Sequence, residues 1–375
     1  LGIILCFMTK DEKYIRYCFE LAKKGLGLTS PNPIVGAVLV YKNKIIAEGY
    51  HKIFGGPHAE VEAINNAIKN GFLPLLKKST LYVNLEPCCH WGKTPPCVNK
   101  IIEVGIKKVV CSMLDPNPKV HGKGVKILKN NGVSCKVGIL KDEAKQLNKF
   151  YIKWITKNLP YVTVKSAMTF DGKIATTAGK SKWISSSQAR QYVYKLRSIY
   201  DSVLVGINTV IIDNPHLTTH NFGRNPLRVV VGNINKLVEV KKNYNILVDK
   251  NKTIIFSPES PAVDEFRNIL KDNVIIHTYK DRNIPFKYIF SVLAKNYNIT
   301  SVLVEGGGET VWRIIKENLV DDFIIFISPK IFGGRDAKTW VEGEGVKLPS
   351  SAYEVKFLTV EQIGEDFVIK AKISK

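Results

Sequence analysis

The chain has 375 residues, 45% of them hydrophobic and 23% charged, with a formal net charge of +22 at pH 7. This is globular composition, long enough for two or three domains, and no apolar run approaches the ~20 residues that would span a bilayer. The positive charge is diffuse, +12 over residues 1–150 and +10 over residues 151–375, and no basic block is interleaved with aromatics, which argues against a nucleic-acid surface.

Leu1–Phe7 is apolar but has no basic n-region or cleavage site, so it is not read as a signal peptide; Met8 is a candidate start. Seven cysteines, an odd count with three in one cluster, fit a reducing, cytoplasmic setting and metal binding better than a disulfide framework.

Asp11 to Gly25 carries Tyr14, Cys18, Leu21 and Ala22 at helical spacing and predicts a helix. Pro31-Asn32-Pro33 is a turn whose Asn32 amide is available to a substrate. Ile34–Tyr41 and Lys44–Gly49 read as a hairpin through Lys42-Asn43. There follow a helix over His58–Ala67, a strand over Thr80–Leu85, a helix over Pro95–Gly105 and a strand over Lys107–Met113. The segment Met113 to Pro118 leaves that strand's C-terminal end, where open α/β sheets bind ligands. Helix Gly124–Asn131, strand Val133–Gly138 and helix Lys141–Tyr151 complete a three-layer α/β domain, broken off at Asn158-Leu159-Pro160.

The second half opens with strand Tyr161–Met168 and the turn Thr169–Lys173. Helix Ser185–Tyr200 is capped by Ser185 or Ser186. Strands are expected at Ser202–Gly206, Leu227–Val231, Lys252–Phe256, Val274–Thr278, Ser301–Val304, Asp322–Ile327 and Asp366–Ile373, with helices at Pro285–Lys295 and Val311–Asn318. The run Glu305-Gly306-Gly307-Gly308-Glu309-Thr310, between a strand and a helix, is a candidate phosphate cradle. It lacks Gly-x-Gly-x-x-Gly spacing and does not support a Rossmann dinucleotide site.

The chemistry concentrates in His58-Ala59-Glu60 and Glu86-Pro87-Cys88, followed by Cys97. His58, Cys88 and Cys97 can close three corners of a zinc tetrahedron and leave the fourth to water, the arrangement of a catalytic site. Zinc brings the pKa of such a water to about 7. Glu60, two residues past the histidine, is free to carry protons. His-x-Glu followed by Pro-Cys and a later Cys is the zinc-deaminase signature. The usual second half is Pro-Cys-x-x-Cys, whereas here eight residues separate the two cysteines. A loop carrying His90, Lys93 and Thr94 must therefore bulge between the ligands. Cys89 is a rival ligand; Cys88 is preferred because it follows Pro87.

With Pro31-Asn32-Pro33, Gly49-Tyr50-His51, Pro95-Pro96-Cys97 and Asp115-Pro116-Asn117-Pro118, the first half resembles the deaminase domain of the bifunctional riboflavin-biosynthesis deaminase/reductase family, which shows the same long gap between cysteines. The second half resembles that family's reductase domain in Lys165, Phe170-Asp171-Gly172-Lys173, Gly179 to Ile184, Arg197, Asp201, Gly206, Thr209, Asp213-Asn214-Pro215, Glu305-Gly306-Gly307 and Pro329-Lys330.

The resemblance implies a cytidine-deaminase-like domain over residues 1–157 and a dihydrofolate-reductase-like α/β domain over 158–375. The first hydrolyses the 2-amino group of a diaminopyrimidinone ribosylamine 5′-phosphate, and the second reduces the ribosyl chain to ribityl with NADPH. His58, Cys88 and Cys97 then bind one zinc ion and Glu60 shuttles protons. Asn32, His51, His90, Lys93, Asp115 and Asn117 line the deaminase pocket. Ala167, Trp183, Thr209, Asp213 and Gly307, Gly308, Glu309, Thr310, Val311, Trp312 and Arg313 contact NADPH. Ser181, Arg197, Leu217, His220 and Glu305 contact the ribosylated substrate, with Arg224 or Arg228 as alternatives to His220 for the phosphate. The partner is a small phosphorylated pyrimidine, not nucleic acid or membrane; a homo-oligomer is compatible.

Four features depart from the family pattern. Glu62 replaces a histidine, Gly71–Lys78 is an insertion expected as a surface loop, and His220 stands where the family has an arginine. A histidine at its ordinary pKa would make the reductase KM climb between pH about 6 and 8. Val231-Gly232-Asn233 also replaces a common Asp-Ser pair. The diffuse charge supports a rival reading, an RNA or nucleoside zinc deaminase with a C-terminal binding domain. A zinc-stabilised binding protein without catalysis is a third, against which Glu60 argues.

Overall fold

Helix α1 (Lys10–Lys23) begins at Thr9, whose hydroxyl and backbone N–H form a reciprocal capping box with Glu12. Its apolar stripe Tyr14, Ile15, Cys18, Leu21 and Ala22 is buried against strand β1 (Gly36–Tyr41), part of the first sheet. The structure, a computed structural model, describes residues 8–240, 243–261, 263, 264, 266, 272–281 and 283–374. The reading of Leu1–Phe7 lies outside them. The chain divides into two units, Leu1–Asn158 and Leu159–Lys375.

The first unit holds a five-stranded sheet in the order β2-β1-β3-β4-β5. β2 is Lys44–Tyr50, β3 Thr80–Val83, β4 Lys108–Cys111 and β5 Ser134–Val137. β1 runs antiparallel to β2 and β3, while β3, β4 and β5 are mutually parallel. This topology gathers the start of β1, the end of β2 and the ends of β3 and β4 at one sheet edge. Helix α2 (Ala59–Lys69) crosses β2 at Gly49, where a Cβ would lie 2.4 Å from Ala63 N; only glycine permits that approach. Helices α3 (Cys97–Glu103) and α4 (Lys123–Asn130) complete the layers.

The helix expected over Lys141–Tyr151 is two helices, α5 (Lys141–Leu147) and α6 (Lys149–Lys157), divided at Asn148. Asn148 is buried and its amide bonds both the N–H and C=O of Ile34, a tertiary demand invisible to helix periodicity. Gly71–Lys78 is not simply a loop. Leu73–Lys78 is a 3₁₀ helix whose Leu76 is fully buried.

The second unit is a nine-stranded sheet in the order β10-β9-β8-β7-β11-β6-β12-β14-β13. The strands are β6 (Tyr161–Thr169), β7 (Ser202–Gly206), β8 (Leu227–Val231), β9 (Thr253–Pro258), β10 (Val274–Tyr279), β11 (Ser301–Val304), β12 (Asp322–Ser328), β13 (Val355–Ile363) and β14 (Asp366–Ile373). All pairings from β10 through β12 are parallel, and β14 and β13 add antiparallel. Helix α7 (Ser187–Ile199) is capped by the Ser186 hydroxyl, and α8 (Ile207–Asp213), not expected from sequence, follows β7 directly. Next come α9 (Asn235–Val240), α10 (Asn245–Val248), α11 (Phe286–Tyr297) and α12 (Gly308–Lys316). The helix expected over Val311–Asn318 thus starts three residues earlier. Apolar clusters flank the sheet, with Val164, Val304 and Phe290 in one and Val205, Val230 and Ile255 in the other.

Arg228 is fully buried on β8. Its guanidinium forks onto Asp249 at 2.7 and 2.6 Å and also donates to the carbonyls of His216, Ile246 and Asn251. Removing one partner of a buried pair strands the other charge. Asp249→Ala should lower unfolding free energy by about 3 kcal/mol, read from the midpoint of urea denaturation at constant slope.

Candidate active sites

At the first sheet edge, Asn84 and Asn148 clamp the chain after Pro33 by bonding the backbone of Ile34 and Gly36. His51, just past β2, has Nδ1 2.9 Å from Pro57 O, so Nδ1 carries the proton, and Nε2 accepts from Asn32 Nδ2 at 3.1 Å. Burial lowers the His51 pKa, which keeps it neutral. Pro57 leads straight into His58, the N-cap of α2.

His58 Nδ1 lies 3.4 Å from Cys88 Sγ and 3.3 Å from Cys97 Sγ, and the three ligand atoms fall within 4.8 Å of one another. Cys88 follows β3; Cys97 opens α3 and its N–H points at Cys88 Sγ, 3.3 Å away. Bonds from Cys97 and His58 pull the Cys88 thiol below its ordinary pKa despite burial. Glu60 is 3% exposed, and burial, reinforced by Cys88, raises its carboxyl to about 7. The rival Cys89 turns away, its sulfur 3.8 Å from Lys119 O.

A cavity of about 260 Å³ opens over this cluster. Its wall includes Asn32, His51, Glu60, His90, Lys93, Thr94, Asp115 and Asn117, with Tyr151, Trp154 and Ile155 from α6. Lys93 Nζ lies 4.1 Å over the Phe54 ring, and His90 Nδ1 is buried with no hydrogen-bond partner among the described residues. Glu86 takes three backbone donors, from Asp115, Gly122 and Val125, and so ties down the loop after β4. Asp115 Oδ1 accepts from Asn117 N at 2.8 Å and from the Tyr151 hydroxyl at 2.9 Å. Burial raises Asp115 to about 6.

In the second unit a cavity of about 390 Å³ opens at the C-terminal ends of β6, β7 and β11, where ligands bind in parallel sheets. Glu305, just after β11, accepts a bidentate pair from Arg197 at 2.7 and 3.0 Å and a third bond from Lys165 at 3.4 Å. Against the cost of burial, Arg197 and Lys165 hold Glu305 down at about 2. Ser181 donates to Asp213 at 2.7 Å, and the Arg190 guanidinium stacks 4.5 Å from the centre of the exposed Trp183 ring.

Ala167, Ser181, Trp183, Arg197, Thr209, Asp213, Leu217, His220, Glu305 and Gly307 all line this cavity. Gly308 to Arg313 are not part of its wall. Gly308 is packed against Thr339 and Glu342, Glu309 is exposed, and Thr310 packs on Gly206 and Gly306. Val311 is core, Trp312 donates to Glu344, and Arg313 donates to Ile284 O. One face of α12 must bury itself in the core, and Gly308, Val311 and Trp312 are on it. Neither Arg224 nor Arg228 is part of the cavity wall; Asp201 pairs with the first and Asp249 with the second.

His220 stacks on Tyr194 with centroids 4.1 Å apart, and partial burial, with Arg197 and His216 nearby, lowers its pKa. Asp171 is structural, accepting from Thr169, Phe332 N and Gly333 N. Sequence reasoning missed Tyr151, which only closes the expected helix, Trp154 and Ile155, which lie beyond its expected end, and Arg190 and Tyr194 on α7. No motif marks them; an aromatic run at helical spacing reads as core.

Residues 8–113 match the cytidine and deoxycytidylate deaminase zinc-binding region, and residues 160–369 match the RibD C-terminal domain. The chain is 39% identical over 363 residues to the riboflavin biosynthesis protein RibD of Aquifex aeolicus, covering 96% of this chain and 97% of that one. Among solved structures it is similar to the Thermotoga maritima diaminohydroxyphosphoribosylaminopyrimidine deaminase/5-amino-6-(5-phosphoribosylamino)uracil reductase. That likeness has TM-score 0.87 and 39% identity, covering 97% of this chain and 99% of that one. It is similar too to Acinetobacter baumannii RibD, with TM-score 0.86 and 33% identity over 98% and 99% of the two chains.

The Tyr151 hydroxyl donates to the charged form of Asp115, and a donor to a carboxylate favours ionisation. Tyr151→Phe should therefore raise the Asp115 pKa above its value of about 6, read by a carboxyl-carbon NMR titration of the folded variant.

Proposed function

This chain belongs to the RibD family, and from that premise we propose how its residues divide the family's two reactions. It is a bifunctional enzyme of riboflavin biosynthesis, a zinc deaminase joined to an NADPH-dependent reductase. Our reading takes the diaminopyrimidinone ribosylamine 5′-phosphate as first substrate and its deaminated product as second.

The observation that carries the deaminase assignment is the convergence of His58 Nδ1, Cys88 Sγ and Cys97 Sγ beside the non-ligand Glu60. One imidazole nitrogen and two sulfurs form a donor set that suits zinc. When bound, zinc supplies Lewis acidity that eases ionisation of water at neutral pH. Glu60 takes the proton that the attacking water releases and delivers it to the leaving 2-amino group, so ammonia departs neutral. Asn32 and His51, fixed through Pro57 O, orient the pyrimidinone ring. His90 and Lys93 receive the phosphate, and Asp115 with Asn117 holds the ribosylamine.

In the reductase, open space over Gly307, the exposed Trp183 face and the Ser181–Asp213 pair accommodate a dinucleotide alongside Ala167 and Thr209. NADPH, when bound, supplies hydride. Lys165, Arg197 and Glu305 orient the ribosyl chain, with Leu217 and His220 on the same wall. The six described cysteines are free thiols, which fits the cytoplasm, and no described helix is long and apolar enough to cross a membrane. Two cavities of small-molecule size favour a phosphorylated pyrimidine over RNA.

The test uses two variants. Glu60→Gln should keep zinc by elemental analysis yet lose deamination ~10²-fold or more. Cys97→Ser should lose zinc and deamination but still oxidise NADPH on pre-deaminated substrate. A metal-loaded, fully active Glu60→Gln protein would sink the assignment, and loss of both activities in a folded Cys97→Ser protein would refute separate sites.

Because the His220 pKa is lowered from 6.5, its imidazolium is populated only on the acid side. The expected pH window therefore lies lower than the one an ordinary histidine gives. The reductase KM should rise as pH climbs through that lowered pKa and level off above it. His220→Arg should lower KM and remove the dependence, because arginine stays charged. Steady-state KM against pH checks both.

A further inference from the structure

The residues between Cys88 and Cys97 form a loop at the deaminase cavity, and Thr94 on that loop is half-buried in the cavity wall. Its neighbours set its position. Gly92 N–H donates to Thr94 O at 3.3 Å, and Lys93 Nζ sits 4.1 Å over the Phe54 ring. Pro95 and Pro96 follow, which favours extended backbone at Thr94 and fixes φ up to Cys97, the first residue of α3. Thr94 is thus tied in sequence to one sulfur, and its Oγ1 comes to 3.4 Å from Nε2 of His58, 36 residues earlier in the chain.

We propose that Thr94 is a positioning residue for the zinc site: its hydroxyl accepts the Nε2–H of His58 and so fixes the tautomer and the plane of that ring. This rests on the reading of His58, Cys88 and Cys97 as the ligand set. His58 Nδ1 faces both sulfurs, at 3.4 and 3.3 Å, so Nε2 is the nitrogen left with the proton. A metal-ligating imidazole is oriented by the group that its other N–H meets. The remaining acceptors around the cavity have other partners. Glu86 takes the N–H groups of Asp115, Gly122 and Val125. Asp115 takes Asn117 N and the Tyr151 hydroxyl, and Asn117 Oδ1 takes Lys119 N. Glu60 pairs with the Cys97 thiol. The neighbouring His51 has the opposite tautomer fixed in the same manner, through Pro57 O and Asn32. The two rings meet edge to face with centroids 5.2 Å apart, so each limits the other's rotation. A hydroxyl suits this place. Two thiolates already face the dication, and a carboxylate partner would add a third negative charge, whereas a neutral acceptor orients the ring without one. The β-branch of threonine restricts χ1 and presets the acceptor. The eight residues between the cysteines therefore supply support for a ligand that lies outside the gap.

Competition with a chelator on the zinc-loaded full chain tests this. Thr94→Val keeps the side chain's shape and removes the acceptor, and it should weaken zinc binding ~10-fold or more, the usual cost of losing such a partner. Thr94→Ser returns the hydroxyl and should restore most of the affinity. The metal-free forms of all three proteins should melt at the same temperature, which separates loss of metal support from loss of fold. Unchanged zinc affinity in Thr94→Val, with or without a raised KM for deamination, would overturn the proposal and leave the ligand set standing. So would equal losses in Thr94→Val and Thr94→Ser, or a metal-free Thr94→Val protein that melts lower than the unmodified one. Cys97→Ser, measured alongside, should lose zinc outright. If it held zinc as tightly as the unmodified chain, the ligand set itself would be wrong and the role of Thr94 would fall with it.

Discussion

The first unit is organised by one constraint: a ring nitrogen and two sulfurs from positions 58, 88 and 97 must converge within 4.8 Å. Thiolates repel and are costly to bury, so nothing local favours their meeting. The sheet brings them together. Parallel β3 and β4 carry Cys88 and Asp115 to one edge, and antiparallel β1 and β2 carry Asn32 and His51 to the same edge. Gly49 lets α2 approach closely enough for its N-cap, His58, to face the sulfurs.

The second unit solves a related problem with charge. Glu305 is buried, and a lone carboxylate there would take up a proton. The Arg197 fork and Lys165 keep it ionised. The three groups come from α7, β6 and the end of β11, so the network also fixes those elements around the cavity.

Much of this was legible because the chemistry sits in short motifs. His58, Glu60, Cys88 and Cys97 could be read from type and spacing, and strands such as β7, β8 and β11 from their apolar runs. What failed depends on contacts distant in sequence. Asn148 divides a periodic helix because Ile34, far away in the chain, needs its amide. Val311 and Trp312 look exposed to a ligand in sequence but belong to the buried face of α12. Tyr151 acquires its role only through Asp115. β13 escaped because its apolar side chains alternate on an exposed edge, with no core behind them to sharpen the pattern.

The reductase cavity has many cations, but most are already committed. Arg197 is held on both Glu305 oxygens and donates its third bond to Thr218 O. Lys165 shares Glu305, Lys182 donates to Asp213 O, and Arg190 donates to Ser185 O while stacking on Trp183. Arg197 therefore holds the Glu305 carboxylate in one orientation on the cavity wall. A carboxylate with one fixed geometry selects a polyol by position, whereas free cations would bind any anion equally well. The excess of positive charge over the whole chain attracts anions at long range, while the charge of Glu305 is fixed in place at short range by Arg197 and Lys165.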